Sequence, residues 1–406
     1  MLPAPIIRAT LLMLILGGGS RLAAEGTFYT LDHNPFLLMT DLGANEAAKK
    51  KSAGTYMKWI AETANYFLKV YELDKNCFST WADTYDPSGK EWERIIRFTV
   101  WEKHEDFLAD FQKRYETKTI PGAYFGWGYQ PKDEYGKPMG MRIREIHAYA
   151  EGQTEAEILR HLYHEMGHLF MKTFIIWPVE VPSWIEEGTA QIFQFRIGNG
   201  TNPEEDRDER RGWVIEMIAE ESAIPWKDFM EVKNIDNLDF TWQDPLRSTI
   251  QYAQAWSVME FMLENPQRRN AFSKLLKSFK DSGRDAVIEA NRRRLNGDAA
   301  RKHYDGWLYE RQHEFFRKAY GADLLQVEAA WKQWVQKSYE KDVKKNPILR
   351  YHRGGWHLLR ADRAKGEEAK TTALARAEAI FSECVEVTPT LPEGHVGLGR
   401  VGLARG

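Results

Sequence analysis

The chain has 406 residues, 43% of them hydrophobic, and a formal charge of −3 at neutral pH. That is enough apolar material for a substantial core and enough length for two or three domains, which excludes a chain disordered throughout. The slight acidity, with no long basic run, argues against a general nucleic-acid binder.

At the N-terminus, Arg8 precedes the apolar run Ala9 to Leu16, which gives way to Gly17-Gly18-Gly19-Ser20 and Leu22-Ala23-Ala24. This order of charge, short apolar stretch and small residues predicts a secretory leader over residues 1–24 and an exported protein, with an uncleaved anchor or a misplaced start codon as the alternatives. No other apolar run is long enough to span a bilayer, so no stable membrane span is expected after cleavage. Cys77 and Cys384 are too few for a disulfide framework or a cysteine zinc site, and two unpaired thiols are expected.

Residues 25–89 contain one amphipathic helix, Ala47 to Tyr71, with Met57, Ile60, Ala64, Phe67, Leu68 and Tyr71 at helical spacing. After the turn signal Asp86-Pro87-Ser88-Gly89, Arg94 to Trp101 reads as a strand and His104 to Tyr115 as a helix. Gly122 to Trp127 and Met141 to Ala148 read as two further strands. This order predicts a small sheet beside the helix that follows.

That helix holds His164-Glu165-Met166-Gly167-His168 within the apolar positions Ile158, Leu159, Leu162, Tyr163, Met166, Leu169 and Phe170. Thr154 and Glu157 form a capping-box signature at its start. The two histidines then fall i, i+4 on one face, where two neutral imidazoles can take adjacent corners of a tetrahedral Zn²⁺. Glu165, beside the first, can reach a water on the same ion. One more protein ligand is needed. Val181 to Ala190 follows as a second helix start, with Ser183 and Glu186 as its expected cap, and its Glu187 stands eighteen residues beyond His168. That is enough chain to turn through Trp177-Pro178 and supply the third ligand.

An HExxH followed by a glutamate within Trp184-Ile185-Glu186-Glu187-Gly188-Thr189-Ala190 resembles the gluzincins, the thermolysin-like and aminopeptidase-like zinc metallopeptidases. The resemblance implies an α+β fold, zinc on His164, His168 and Glu187, and Glu165 as general base in peptide hydrolysis. It also implies an edge strand that holds the substrate backbone, for which Gly122 to Trp127 is the candidate, with a plain edge or core strand as the competing reading. The aminopeptidase branch carries Gly-Ala-Met-Glu-Asn there. This chain has Gly-Ala-Tyr-Phe-Gly, a departure that favours an endopeptidase, with an exopeptidase acting on cell-wall or modified peptides as the alternative.

Related enzymes place a Tyr or His on a later helix to stabilise the oxyanion. Tyr252 is the candidate, with an ordinary part-buried tyrosine as the competing reading and His303 and His313 as substitutes. His161 is expected to be a neighbouring polar residue rather than a fourth ligand, and Glu186 a cap partner. Many relatives carry an acid four residues after the zinc glutamate; here that position is Gln191.

Gly198 to Gly212 is densely charged and reads as a solvated loop or lid. Helical patterns follow at Trp213 to Glu221, Ile250 to Leu263, Ala271 to Lys280, Tyr304 to Ala319 and Val327 to Tyr339, so that residues 90–341 form the expected catalytic domain. Residues 349–406 differ in character. Leu358/Leu398, Arg360/Arg400, Ala364/Ala404 and Gly366/Gly406 recur with an offset of 40, flanking an Ala-rich helix that ends before Pro389. This resembles a tetratricopeptide repeat, whose usual period is about 34, with an insertion. It implies a helical tail able to meet a protein partner. A chain whose tail does the binding while the zinc fold is vestigial is the remaining alternative, against which the intact Glu165 stands.

Overall fold

The computed structural model describes residues 28–33, 36–70, 96–114, 123–127, 144–174, 181–196, 203–231 and 245–406. The expected leader, Cys77, Gly122 and the Trp177-Pro178 turn lie outside them. The described residues are mostly helical with one small mixed sheet, an α+β fold, and they divide into two compact units. None of their helices is long and apolar enough to cross a membrane.

The first unit, residues 1–174 with 197–201, carries the sheet. Its strands are β1 (Tyr29–His33), β2 (Phe36–Thr40), β3 (Ile96–Trp101), β4 (Ala123–Trp127) and β5 (Arg144–Tyr149), in the spatial order β1-β2-β3-β5-β4. β2, β3 and β5 run parallel, and β1 and β4 close the two ends antiparallel to their neighbours. β1 and β2 are additional to the expected elements, although Asn34-Pro35 between them is a turn signal in the sequence. Three helices complete the unit: α1 (Glu46–Val70), α2 (His104–Arg114) and α3 (Glu155–Phe174).

The register puts Trp101 opposite Tyr149, and both pack with Phe107 and Phe111 of α2 on one face. Phe98, Val100, Ile146 and Ala148 alternate to the other face, each at most 1% exposed, beneath α1 and α3. Phe67 of α1 meets Phe170 of α3 there, with ring centroids 5.2 Å apart.

The α2 face also holds a buried polar cluster that the sequence pattern did not reveal. Arg97 Nη1 donates to Glu145 Oε1 at 2.8 Å, and His147 Nε2 lies 3.2 Å from Glu145 Oε2. Trp101 Nε1 donates to His147 Nδ1 at 3.3 Å, while Asp110 Oδ2 is 3.5 Å from the same nitrogen. The hydrogen bonds tie β3 to β5, with the Asp110 carboxylate of α2 alongside, and they offset the desolvation of Glu145 and His147.

The second unit, residues 175–196 with 202–406, is helical. It contains α4 (Ser183–Arg196), α5 (Pro203–Ala219), α6 (Trp226–Glu231), α7 (Pro245–Leu263), α8 (Pro266–Arg292), α9 (Gly297–Tyr320), α10 (Leu324–Val343), α11 (Pro347–Asp362), α12 (Glu367–Val387) and α13 (Pro392–Arg405). The charged stretch expected to be a loop is helical from Pro203 onward. Proline suits a first helical turn, Glu and Arg propagate a helix well, and Arg211 pairs with Asp208 and Glu260 at 3.6 and 3.1 Å.

The tail helices α11 and α12 pack around Phe381, Ala377, Leu374 and Ala361, with Val401 of α13 closing the cluster. α11 also lies along α5 in a parallel register. Asn346 donates to Asp208 at the start, Arg353 and His357 meet Glu216 at 2.5 and 2.9 Å, and Arg360 pairs with Glu220 at the far end. Gly212 permits this approach, because a Cβ there would stand 2.8 Å from that of His352.

Candidate metal centre

The α3 helix begins as its sequence dictates. The Glu157 carboxylate accepts from the Thr154 backbone N–H at 2.7 Å and from its hydroxyl at 2.9 Å, and Thr154 Oγ1 accepts from Glu157 N at 3.3 Å. This capping box holds the Glu157 carboxyl below its usual range, chiefly through the Thr154 backbone bond. Ile158, Leu159, Leu162, Tyr163, Met166, Leu169 and Phe170 are all at most 4% exposed. Burying that stripe turns His161, His164 and Glu165, each half-buried, to the other side.

Helical spacing brings the Nε2 atoms of His164 and His168 to 3.1 Å from each other. Two nitrogens on adjacent corners of a tetrahedral zinc, at 2.0–2.1 Å bond lengths, stand about 3.3 Å apart. The pair therefore has the spacing that coordination requires.

Glu187 lies on α4, whose first turn is built differently from expectation. The amides of Ile185 and Glu186 bond to the Pro182 carbonyl at 2.9 and 3.2 Å, so the helix starts a residue early and Ser183 does not act as the cap of a Ser183/Glu186 box. Ser183 to Ala190 is buried at every position except Glu186, and Glu187 itself is 6% exposed. The adjacent α7 comes close enough that a Cβ on Gly188 would stand 2.8 Å from the Ala255 carbonyl oxygen and press on Met259. Glycine is needed at that position to hold the Glu187 turn against α7.

One ligand atom from each of His164, His168 and Glu187 lies within 4.8 Å of the other two. The widest of these separations exceeds the about 3.3 Å between tetrahedral ligands, so the side chains would draw in by an ångström or so on binding a zinc ion. Two imidazoles and one carboxylate match the three-ligand sets that leave a fourth position open, and such a set fits zinc better than a hard cation. It is the one group of three His, Cys, Asp or Glu side chains so disposed among the described residues.

Tyr252 is half-buried on α7, three residues before Ala255 and thus on the helix packed beside Gly188. Gln191 is 5% exposed and donates to Gln194 Oε1 at 3.1 Å. His303 lies against Tyr304 and Trp307 on α9, with centroids 6.0 and 5.5 Å away, and His313 is on the same helix. Neither belongs to the three-ligand group. His161 bonds to Gln153 rather than joining the cluster.

No family model matches this chain, and no curated protein or solved structure is significantly similar to it.

Proposed function

We propose that this chain is an exported, zinc-dependent metallopeptidase with a thermolysin-like catalytic region, acting as an endopeptidase. The observation that carries the reading is the convergence of His164, His168 and Glu187. The proposed organisation is a leader over residues 1–24, a packing segment over 25–89, the catalytic region over 90–341 and a tetratricopeptide-like tail over 349–406. β4, at the end of the strand order, is the strand along which an extended peptide would be added.

Zinc bound by these three side chains would supply a Lewis acid and lower the pKa of its water to near 7. Glu165, next to His164 on α3, would accept the proton of the attacking water and pass it to the leaving amine. The Tyr252 phenol would donate a hydrogen bond to the oxyanion developing on the substrate carbonyl, without bringing a charge of its own. No side chain here has to become covalently attached to the substrate.

The test is metal removal and return. Phenanthroline treatment should abolish cleavage of an internally quenched peptide library, and one equivalent of zinc should restore it. Cleavage that persists in metal-free protein would sink the proposal.

A further inference from the structure

His161 precedes His164 by one turn, and its surroundings fix more about it than its position does. At 3.6 residues per turn, His161, His164, Glu165 and His168 fall within an arc of about 100° on α3. Helical side chains lean toward the N-terminus, which brings those of His164 and Glu165 down toward the level of His161.

Gln153, in the turn that links β5 to α3, holds the imidazole. Its Nε2 donates to the Tyr149 carbonyl at 3.1 Å, and a carbonyl can only accept, so the Gln153 amide has one orientation. Its Oε1 therefore faces His161 Nδ1, 3.1 Å away, and that nitrogen carries the proton. The Nε2 of His161 is left as the acceptor. It makes no hydrogen bond among the described residues, and it is not sealed from solvent, because His161 is half-buried. Burial holds the imidazole below its usual pKa and nearby Arg160 lowers it further, against the opposing charge of Glu157. The ring is accordingly neutral at pH 7 and its lone pair available.

We propose that His161 is a substrate-binding residue, presenting Nε2 as a fixed acceptor to a backbone N–H of the peptide bound beside α3. An extended peptide offers such donors along its length, and the bond from Gln153 removes the cost of choosing a tautomer at each binding event. This inference rests on the peptidase reading above.

The experiment uses zinc-loaded full-length protein, with diethyl pyrocarbonate as a probe of the lone pair and a quenched peptide as substrate. His161 should be carbethoxylated well ahead of the buried His147 and His357, as read by peptide mass mapping. His161→Phe keeps a planar ring and deletes the acceptor. It should raise KM about tenfold with kcat within twofold and zinc content unchanged, the pattern for a contact made equally in ground and transition states. Gln153→Leu, which leaves the imidazole and releases its tautomer, should raise KM by a smaller factor. Slow labelling of His161, or an unchanged KM in both variants, overturns the proposal. So does a fall in kcat at constant KM, which would make His161 a proton-transfer group. A wild type that is labelled as expected but cleaves nothing overturns the peptidase reading together with this one, whereas the other outcomes overturn this one alone.

Discussion

The Nε2 atoms of His164 and His168 stand 3.1 Å apart on α3. A hydrogen bond between them would use one proton and one lone pair. A metal would use both lone pairs and draw in the Glu187 carboxylate, whose ligand atom lies within 4.8 Å of each. The second use accounts for all three side chains.

The oxyanion contact proposed for Tyr252 has a direct kinetic test. Tyr252→Phe should lower kcat by about 10²–10³-fold, the usual loss when one oxyanion donor is removed. Zinc content and KM should hold. A steady-state measurement that leaves kcat within a factor of two removes Tyr252 from the mechanism.

Gly188→Ala places a methyl group where the Ala255 carbonyl oxygen is 2.8 Å away and Met259 is closer. Overpacking of this kind costs about 1–3 kcal/mol. Thermal unfolding should show a lower Tm, and isothermal titration a weaker zinc affinity, because α4 must shift the Glu187 turn to make room. An unchanged Tm would contradict the close approach of α7 to Gly188.

Glu216 joins α5 to α11. Burial by itself would raise its pKa, but the His357 hydrogen bond and the Arg353 charge outweigh that and hold it below the ordinary 4.5. A depressed carboxyl pKa contributes stability that is fully present above about 4.5 and is lost as pH falls through the folded-state value. Urea unfolding between pH 7 and 3 should therefore show an acid limb that Glu216→Gln flattens. Parallel acid limbs in the two proteins would remove Glu216 from this role.

Much of this arrangement could be read from the residues. Thr154 and Glu157 announced the start of α3, and the apolar stripe from Ile158 to Phe170 fixed which face carried the histidines. Local signals sufficed there because capping and helical periodicity act within one or two turns. The sequence was less informative where distant chain decides. Glu204 to Arg211 reads as a loop by charge alone, yet Arg211 gains Glu260 from α7 and Asp208 gains Asn346 from α11. Likewise Glu145 and His147 look like surface positions on a strand until Arg97, Trp101 and Asp110 arrive from other elements. The tautomer of His161 is not legible in the sequence, because the side chain that fixes it, Gln153, lies in a turn with no pattern of its own.

The most direct test of the account is metal content and peptide hydrolysis of the wild type beside Glu165→Gln. About one zinc per chain is expected in both proteins, with the wild type cleaving a quenched peptide library and the variant slower by several orders of magnitude. Wild type without zinc, or equal hydrolysis by the two, would contradict it.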